Sequence, residues 1–337
     1  MPHNDDKPFC ADQRNKLLLP LLKHLDNNNL STEGIFEGWK FCRIPTGANG
    51  IVFRATHECG ECAVKFTARD DRSRADREFH SLAALREAGL NVAPESLFLD
   101  NHKYSQPVVV QSWLDGEVTT SIPITDAEWQ RLVEHYAAIH TVTPDKTTVP
   151  LQMAVLNADS VEACKTLIWN QLNQIPRKGH PPALCTLIQR LNALNEWTWP
   201  KVSPALCRVD ANTSNFIRRP DAWASVDWEN SGWGDPAFEI ADLITHPAYL
   251  GTTPERWEWV VNTYCNLRAS VDQTASTRIS LYHKAMLMFW AVRLARMLYE
   301  IPRGLDLRLV ERPANWEKDI RSKFTVYLEA AEKALSD

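Results

Sequence analysis

Three side chains in one polar stretch, Asp210, Asn215 and Asp227 of CRVDANTSNFIRRPDAWASVDWENSGWGDP, have the types and spacing to gather around a hard cation. Asp210 and Asn215 flank the short loop ANTS, which can turn both toward one point. Asp227 follows Ala224-Ser225-Val226, an apolar piece that reads as a strand ending at the same cleft. Carboxylate and amide oxygens suit Mg2+, which takes a few protein oxygens and completes its shell with water and phosphate. Turn chemistry alone also produces Asx-rich loops, but it gives no reason for Asp227 at a strand end. Earlier in the chain, Ala63-Val64-Lys65 closes an apolar strand and Glu78 follows on a helix. A lysine there is costly to bury without a carboxylate, and pairing with Glu78 would aim its ammonium at phosphate. Taken alone, the two residues read better as an exposed edge-strand lysine and an unrelated surface glutamate. Before them lies Thr46-Gly47-Ala48-Asn49-Gly50-Ile51-Val52. Its glycines let backbone amides approach phosphate oxygens, and Thr46 and Asn49 add side-chain donors. Plain hairpins use the same turn.

The elements that must position these groups follow from periodicity. Residues 14–26 read as a short apolar-faced helix that Pro20 limits or kinks. Strand character marks 39–45, 51–56 and 62–67, separated by Gly/Asn turns. Residues 72–88 switch to helical period and stop at Gly89, and strands fit 96–99 and 107–112. Beyond Gly116 the chain is mostly helical. Thr125-Asp126-Ala127-Glu128 is a capping-box signature opening one helix, and others are expected near 158–174, 181–195, 254–268, 275–300 and 315–335. Short β-prone pieces (FIRR, WASVDW) frame the polar loop between 206 and 226. The expected fold class is α+β: a helical extension over 1–37, a small antiparallel-sheet lobe with one helix over 38–115, and a larger, mainly helical lobe over 116–337.

Composition narrows the function classes. A chain of 337 residues exceeds one small core, which predicts two lobes. With 44% hydrophobic and 23% charged residues it is neither disordered nor fibrous. A net charge of −5 supplies no basic field for a nucleic-acid backbone. The longest apolar stretch, 285–299, is interrupted by Arg293 and Arg296 and falls short of the roughly 20 residues a membrane span requires. The polar, acidic MPHNDDKPFC start does not read as a secretory signal. Eight scattered cysteines read as reduced thiols and point to the cytoplasm. Cys59-Gly60-Glu61-Cys62 with His57 has metal spacing, yet no second ligand pair completes a site, and Gly60-Glu61 reads as a hairpin turn.

Taken together, the motifs resemble the aminoglycoside phosphotransferase and choline kinase family, which shares the protein-kinase-like bilobal fold. VDWENSGWGDPAFEIADL is similar to its metal-Asp segment and RVDANTSNF to its catalytic loop. The glycine turn, CAVK, the helix glutamate and the VVVQSWLDG hinge fall in the family's order, from about Phe41 to about Ala248. The resemblance implies an ATP-dependent phosphotransferase acting on a hydroxyl of a small molecule. Asp210 would orient the attacking hydroxyl and accept its proton, and Asn215 and Asp227 would hold Mg2+ at the ATP phosphates. Lys65, locked by Glu78, would contact the α- and β-phosphates under Thr46, Gly47, Asn49 and Gly50. The backbone of Ser112 and Leu114 would meet the adenine edge. Departures from the family pattern are Arg208 in place of a histidine, Asn212 in place of another, and Glu239 in place of an aspartate. Arg208 is expected to brace the loop by pairing with Asp235 or another acid.

Two other readings stay open: a protein serine/threonine kinase of the same fold, and a non-catalytic nucleotide-binding scaffold. The complete set Lys65, Glu78, Asp210, Asn215 and Asp227 speaks against the scaffold. Asp242 and His246, though spaced like metal ligands, read as a surface pair or a helix end before Pro247. Glu255 and Glu258 read as a solvated helix face rather than an acidic acceptor cleft, and most of the thirteen tryptophans read as core.

Overall fold

The computed structural model describes residues 11–28, 32–45, 50–193, 198, 200–305 and 312–335. The first half runs α1 (Ala11–Asn27), β1 (Glu33–Phe36), β2 (Trp39–Ile44), β3 (Gly50–His57), β4 (Gly60–Thr67), α2 (Arg74–Glu87), β5 (Ser96–Asp100) and β6 (Val108–Ser112). The strands form one antiparallel sheet of order β1-β2-β3-β4-β6-β5. Alternation along β4 sets the two faces. Cys62, Val64 and Phe66 join Leu18, Leu21, Leu22 and Leu25 of α1 in one core, so Lys65 points to the opposite face, where α2 packs. Pro20 lies inside α1 instead of limiting it. An interior proline costs about 3 kcal/mol, but four fully buried leucines at about 1.5–3 kcal/mol each outweigh it.

The second half runs α3 (Asp126–Ile139), α4 (Val161–Leu172), α5 (Pro182–Ala193), β7 (Ala205–Cys207), β8 (Phe216–Ile217), β9 (Ala224–Ser225), β10 (Gly232–Gly234), α6 (Pro236–Thr245), α7 (Pro254–Arg268), α8 (Ala275–Glu300) and α9 (Trp316–Ala334). Thr125 and Glu128 close the expected capping box on α3. The long α8 packs against α4, α6, α7 and α9 around one apolar core. Two short antiparallel pairs, β7–β10 and β8–β9, carry the polar loops. Helix α6 is not among the expected helices; Asp235 caps it, Pro236 starts it, and nearly all of its residues are buried. The hairpin between β3 and β4 turns at Glu58-Cys59, with His57 paired to Gly60, two residues before the expected Gly60-Glu61. Cys62 is buried in the α1 core, and the His57 ring contacts the Cys59 thiol at 2.5 Å.

Gly116 marks the passage between the halves. At φ +151° it lies so close to β8 that a Cβ would sit 2.4 Å from Ile217 Cγ2. Glu117 and Arg218 then exchange backbone bonds of 3.0 and 2.8 Å. Among the described residues no helix is long and apolar enough to cross a membrane.

Candidate active site

Lys65 crosses from the sheet to the second half of the chain. Its Nζ lies 2.7 Å from Glu78 Oε2 on α2, bonds Asp227 Oδ1, and lies 3.2 Å from Glu229 Oε2. Burial works against the ammonium, yet the charges of Asp227, Glu78 and Glu229 outweigh it and hold its pKa well above that of an ordinary lysine. Burial likewise works against the Asp227 carboxylate, and Lys65 overcomes it, keeping the group below the usual aspartate range. Glu78 is fully enclosed, and burial lifts it against the pull of Lys65. The two missed members of this cluster are Glu229 and Arg74. Arg74 bonds Glu229 Oε1 and reaches Asp70 at 2.9 Å. Glu229 was legible as the last residue of Asp-Trp-Glu, whereas Arg74 sits in the charge-rich RSRADREF with nothing to single it out.

The same lobe brings Asp210 and Asn215 to Asp227. Val209, Asp210 and Asp227 all hold positive φ (57°, 87° and 64°), strained backbone for residues with side chains and a mark of functional loops. Asp210 accepts the Asn212 amide at 3.2 Å. Burial, then the charge of Asp227, pushes its carboxyl up to about 6 against the pull of Arg208. The Asn215 carbonyl accepts the Val226 amide at 2.9 Å, tying one loop to the other. Its side-chain amide nitrogen is buried without a partner.

Behind the loop the expected bracing differs. Arg208 is fully buried but does not pair with Asp235. It bonds the carbonyl of Asp210, reaches that of Val226 at 3.3 Å, and stacks 4.9 Å from the Phe216 ring centre. Asp235 is taken by Arg278 and Tyr282 and caps α6 through the Ala237 amide. Glu239 does the bracing instead: its Oε1 accepts the amides of Arg208 (2.9 Å) and Val209 (2.7 Å), and its Oε2 lies 2.7 Å from His140 Nε2. Burial raises the Glu239 carboxyl, and His140 and Arg208 more than reverse that. His140 comes from α3, a partner no local pattern reveals. Asp242 is buried, not a surface residue. His246 ends α6 as expected, with Nε2 3.7 Å from Asp210 Oδ1.

Of the other expected contacts, Gly50 opens β3 against the Lys65 stem: a Cβ there would meet Lys65 Cε at 3.3 Å. Thr46, Gly47 and Asn49 lie outside the described residues. Ser112 ends β6 and donates its amide to Glu95 (2.9 Å). Leu114 is half-buried two residues on, at the start of the passage between the halves.

The donor chemistry suits Mg2+. Around the cleft three cations, Lys65, Arg74 and Arg208, face four carboxylates: Glu78, Asp210, Asp227 and Glu229. Carboxylates in excess of cations, with the Asn215 amide oxygen beside them, offer the hard oxygen donors that Mg2+ takes.

The sequence model of the "Phosphotransferase enzyme family" (APH) matches residues 40–271. The chain belongs to this family. The phosphotransferase's relatives extend the match in fold. A choline/ethanolamine kinase family protein from Mesorhizobium loti superposes with a TM-score of 0.60 at 16% identity, covering 97% of this chain and 96% of that one. A spectinomycin phosphotransferase solved with ADP and spectinomycin gives 0.59 at 13% identity, covering 97% and 99%. Choline kinase LicA from Streptococcus pneumoniae gives 0.56 at 15%, covering 95% and 99%. The fold is thus the protein-kinase-like one. Protein LicA of Haemophilus influenzae is 31% identical over 80 residues, which is 24% of this chain; the match spans only 28% of that relative's length.

Proposed function

We propose that the protein transfers the γ-phosphoryl group of ATP to a hydroxyl of a small molecule, with residues 38–115 forming the nucleotide lobe and 116–337 the acceptor lobe. The observation that carries this reading is the Lys65 ammonium reaching from the sheet to Asp227 across the cleft, beside Asp210 and Asn215. Relatives named for choline, ethanolamine and spectinomycin support a small acceptor. Reduced cysteines and ATP as donor fit the cytoplasm.

Phosphoryl transfer asks for positioning and for positive charge around developing oxygen anions rather than for a covalent nucleophile. Lys65, oriented by Glu78, supplies positive charge to the α- and β-phosphates. The glycine turn with Thr46, Gly47, Asn49 and Gly50 would cover them, and the backbone of Ser112 and Leu114 would hold the adenine edge. Asn215 and Asp227 would hold Mg2+, whose charge would offset that of the phosphates. Asp210 orients the acceptor hydroxyl and takes its proton. A carboxylate with pKa near 6 is ionised at neutral pH yet basic enough to accept that proton as the bond forms.

The test is Asp210→Asn, assayed for ADP formation with Mg-ATP and pooled hydroxyl metabolites. Turnover should fall about 10²–10⁴-fold with ATP affinity retained. Wild-type turnover in the variant would overturn the assignment. ATP binding without transfer to any acceptor in the wild type would favour a scaffold.

A further inference from the structure

His246 stands where α6 ends, between the Asp210 loop and a cavity of about 390 Å³ that it lines together with Trp290, Leu294 and Trp316. Nothing in the transfer step described above uses this ring. The Ala248 backbone amide donates to its Nδ1 at 3.2 Å. An N–H can only donate, so Nδ1 carries no hydrogen and the neutral ring keeps its one hydrogen on Nε2. Nε2 lies 3.7 Å from Asp210 Oδ1, and among the described residues it has no hydrogen-bond partner. The ring is held in place: Trp290 of α8 meets it edge-on at 5.4 Å and Tyr249 at 6.4 Å between ring centres.

We propose that His246 is a second anchor for the acceptor hydroxyl, its Nε2–H donating to the oxygen whose own hydrogen points at Asp210. The inference rests on the phosphotransferase reading above and deepens it.

Two observations carry it. First, 3.7 Å is too long for a direct hydrogen bond, but it suits one intervening oxygen lying about 2.8 Å from each group. The carboxylate can only accept and the Nε2–H can only donate, so the oxygen between them must do both, as a hydroxyl does. Second, both groups reach open space. Asp210 keeps 32% of its side-chain surface exposed and His246 keeps 12%, and the cavity beside the imidazole has room for the body of a small molecule. In the transfer step the hydroxyl oxygen bonds to the γ-phosphorus, the bond from that phosphorus to the ADP oxygen breaks, and the hydroxyl proton passes to Asp210. The Nε2 proton stays on the ring. The contribution of His246 is orientation: with two of its directions taken, the oxygen has a lone pair left for the phosphorus.

His246 also caps the Pro247–Tyr249 turn through Nδ1, and two variants separate the cap from the anchor. His246→Asn keeps an acceptor near the Nδ1 position and loses the reach toward Asp210. His246→Gln carries an amide N–H to about the Nε2 position and loses the cap. ADP formation is measured on the full chain with Mg-ATP and two acceptors, water and the pooled hydroxyl metabolites. His246→Asn should turn over about tenfold more slowly at an unchanged urea midpoint. His246→Gln should stay within about threefold of the wild type and unfold at lower urea. ATP affinity by calorimetry should be the same in all three proteins. Wild-type turnover in His246→Asn, or equal or reversed losses in the two variants, would overturn the anchor and leave the phosphotransferase reading standing. Should neither variant fold, nitrogen-15 NMR of the wild-type ring decides: the anchor requires the hydrogen on Nε2 at neutral pH, and a hydrogen on Nδ1 overturns it. If the wild type does not bind ATP, or binds it and transfers to neither acceptor, the phosphotransferase reading falls, and the anchor with it.

Discussion

Lys65 and Arg278 are both buried cations held by more than one carboxylate, and they are finished differently. Arg278 meets Asp235 through two bonds of 2.8 Å and Asp272 through bonds of 2.7 and 3.0 Å. Tyr282 and the Ala237 amide complete Asp235 at 2.7 and 2.9 Å. Burial opposes the guanidinium, but these bonds raise its pKa above the ordinary arginine value. Around Lys65 the sum does not close. Glu78 Oε1 and Asn215 Nδ2 are buried without partners, Asp210 is lifted by its neighbour Asp227, and Asp210 and Asp227 occupy strained backbone. A satisfied ionic knot holds helices together; an unsatisfied one has room for a further charged species. The first is architecture and the second is a place for chemistry.

That contrast can be broken in three ways. Arg278→Met leaves Asp235 and Asp272 buried without a counter-ion, which should cost about 3–5 kcal/mol in urea unfolding. A loss below about 1 kcal/mol, the size of an ordinary substitution, would mean the knot is not structural. Asp227→Asn leaves Lys65 still paired with Glu78 and Glu229, so stability should fall by only about 1 kcal/mol, well short of the Arg278→Met loss. Transfer should nonetheless drop about 10²–10³-fold, as when one preorganised electrostatic group is lost; matching losses in stability and rate would erase the distinction. The gentlest probe is pH. Asp210 must be ionised to take a proton and its carboxyl sits near 6, so kcat/KM should fall as pH drops through 6. At pH 5 it should be roughly tenfold below its neutral value, and the limb should be missing from the residual activity of Asp210→Asn.

Much of this was legible in the residues. The capping box placed α3 and periodicity placed α7 and α8. Lys65, Glu78, Asp210, Asn215 and Asp227 were singled out by residue type and by their order along the chain, which matches the family's. What stayed hidden is non-local or lacks contrast. Glu239 braces the loop through two backbone amides and His140, 99 residues away, and no local pattern encodes that. Arg208 was legible as a departure but not as a prop for carbonyls, since its partners are backbone atoms common to every residue. β1, with four residues, and β7 and β10, with three each, are too short for period to register.

The rung from the Val226 amide to the Asn215 carbonyl has a mechanical consequence. It fixes the gauge between the two proposed metal-holding side chains within one lobe, while Lys65 arrives from the other. Any shift of one half against the other would change the Lys65–Asp227 contact and leave the Asn215–Asp227 spacing as it is. Opening for product exit would therefore loosen the grip on the nucleotide's phosphates without having to rebuild the cradle for the next ion.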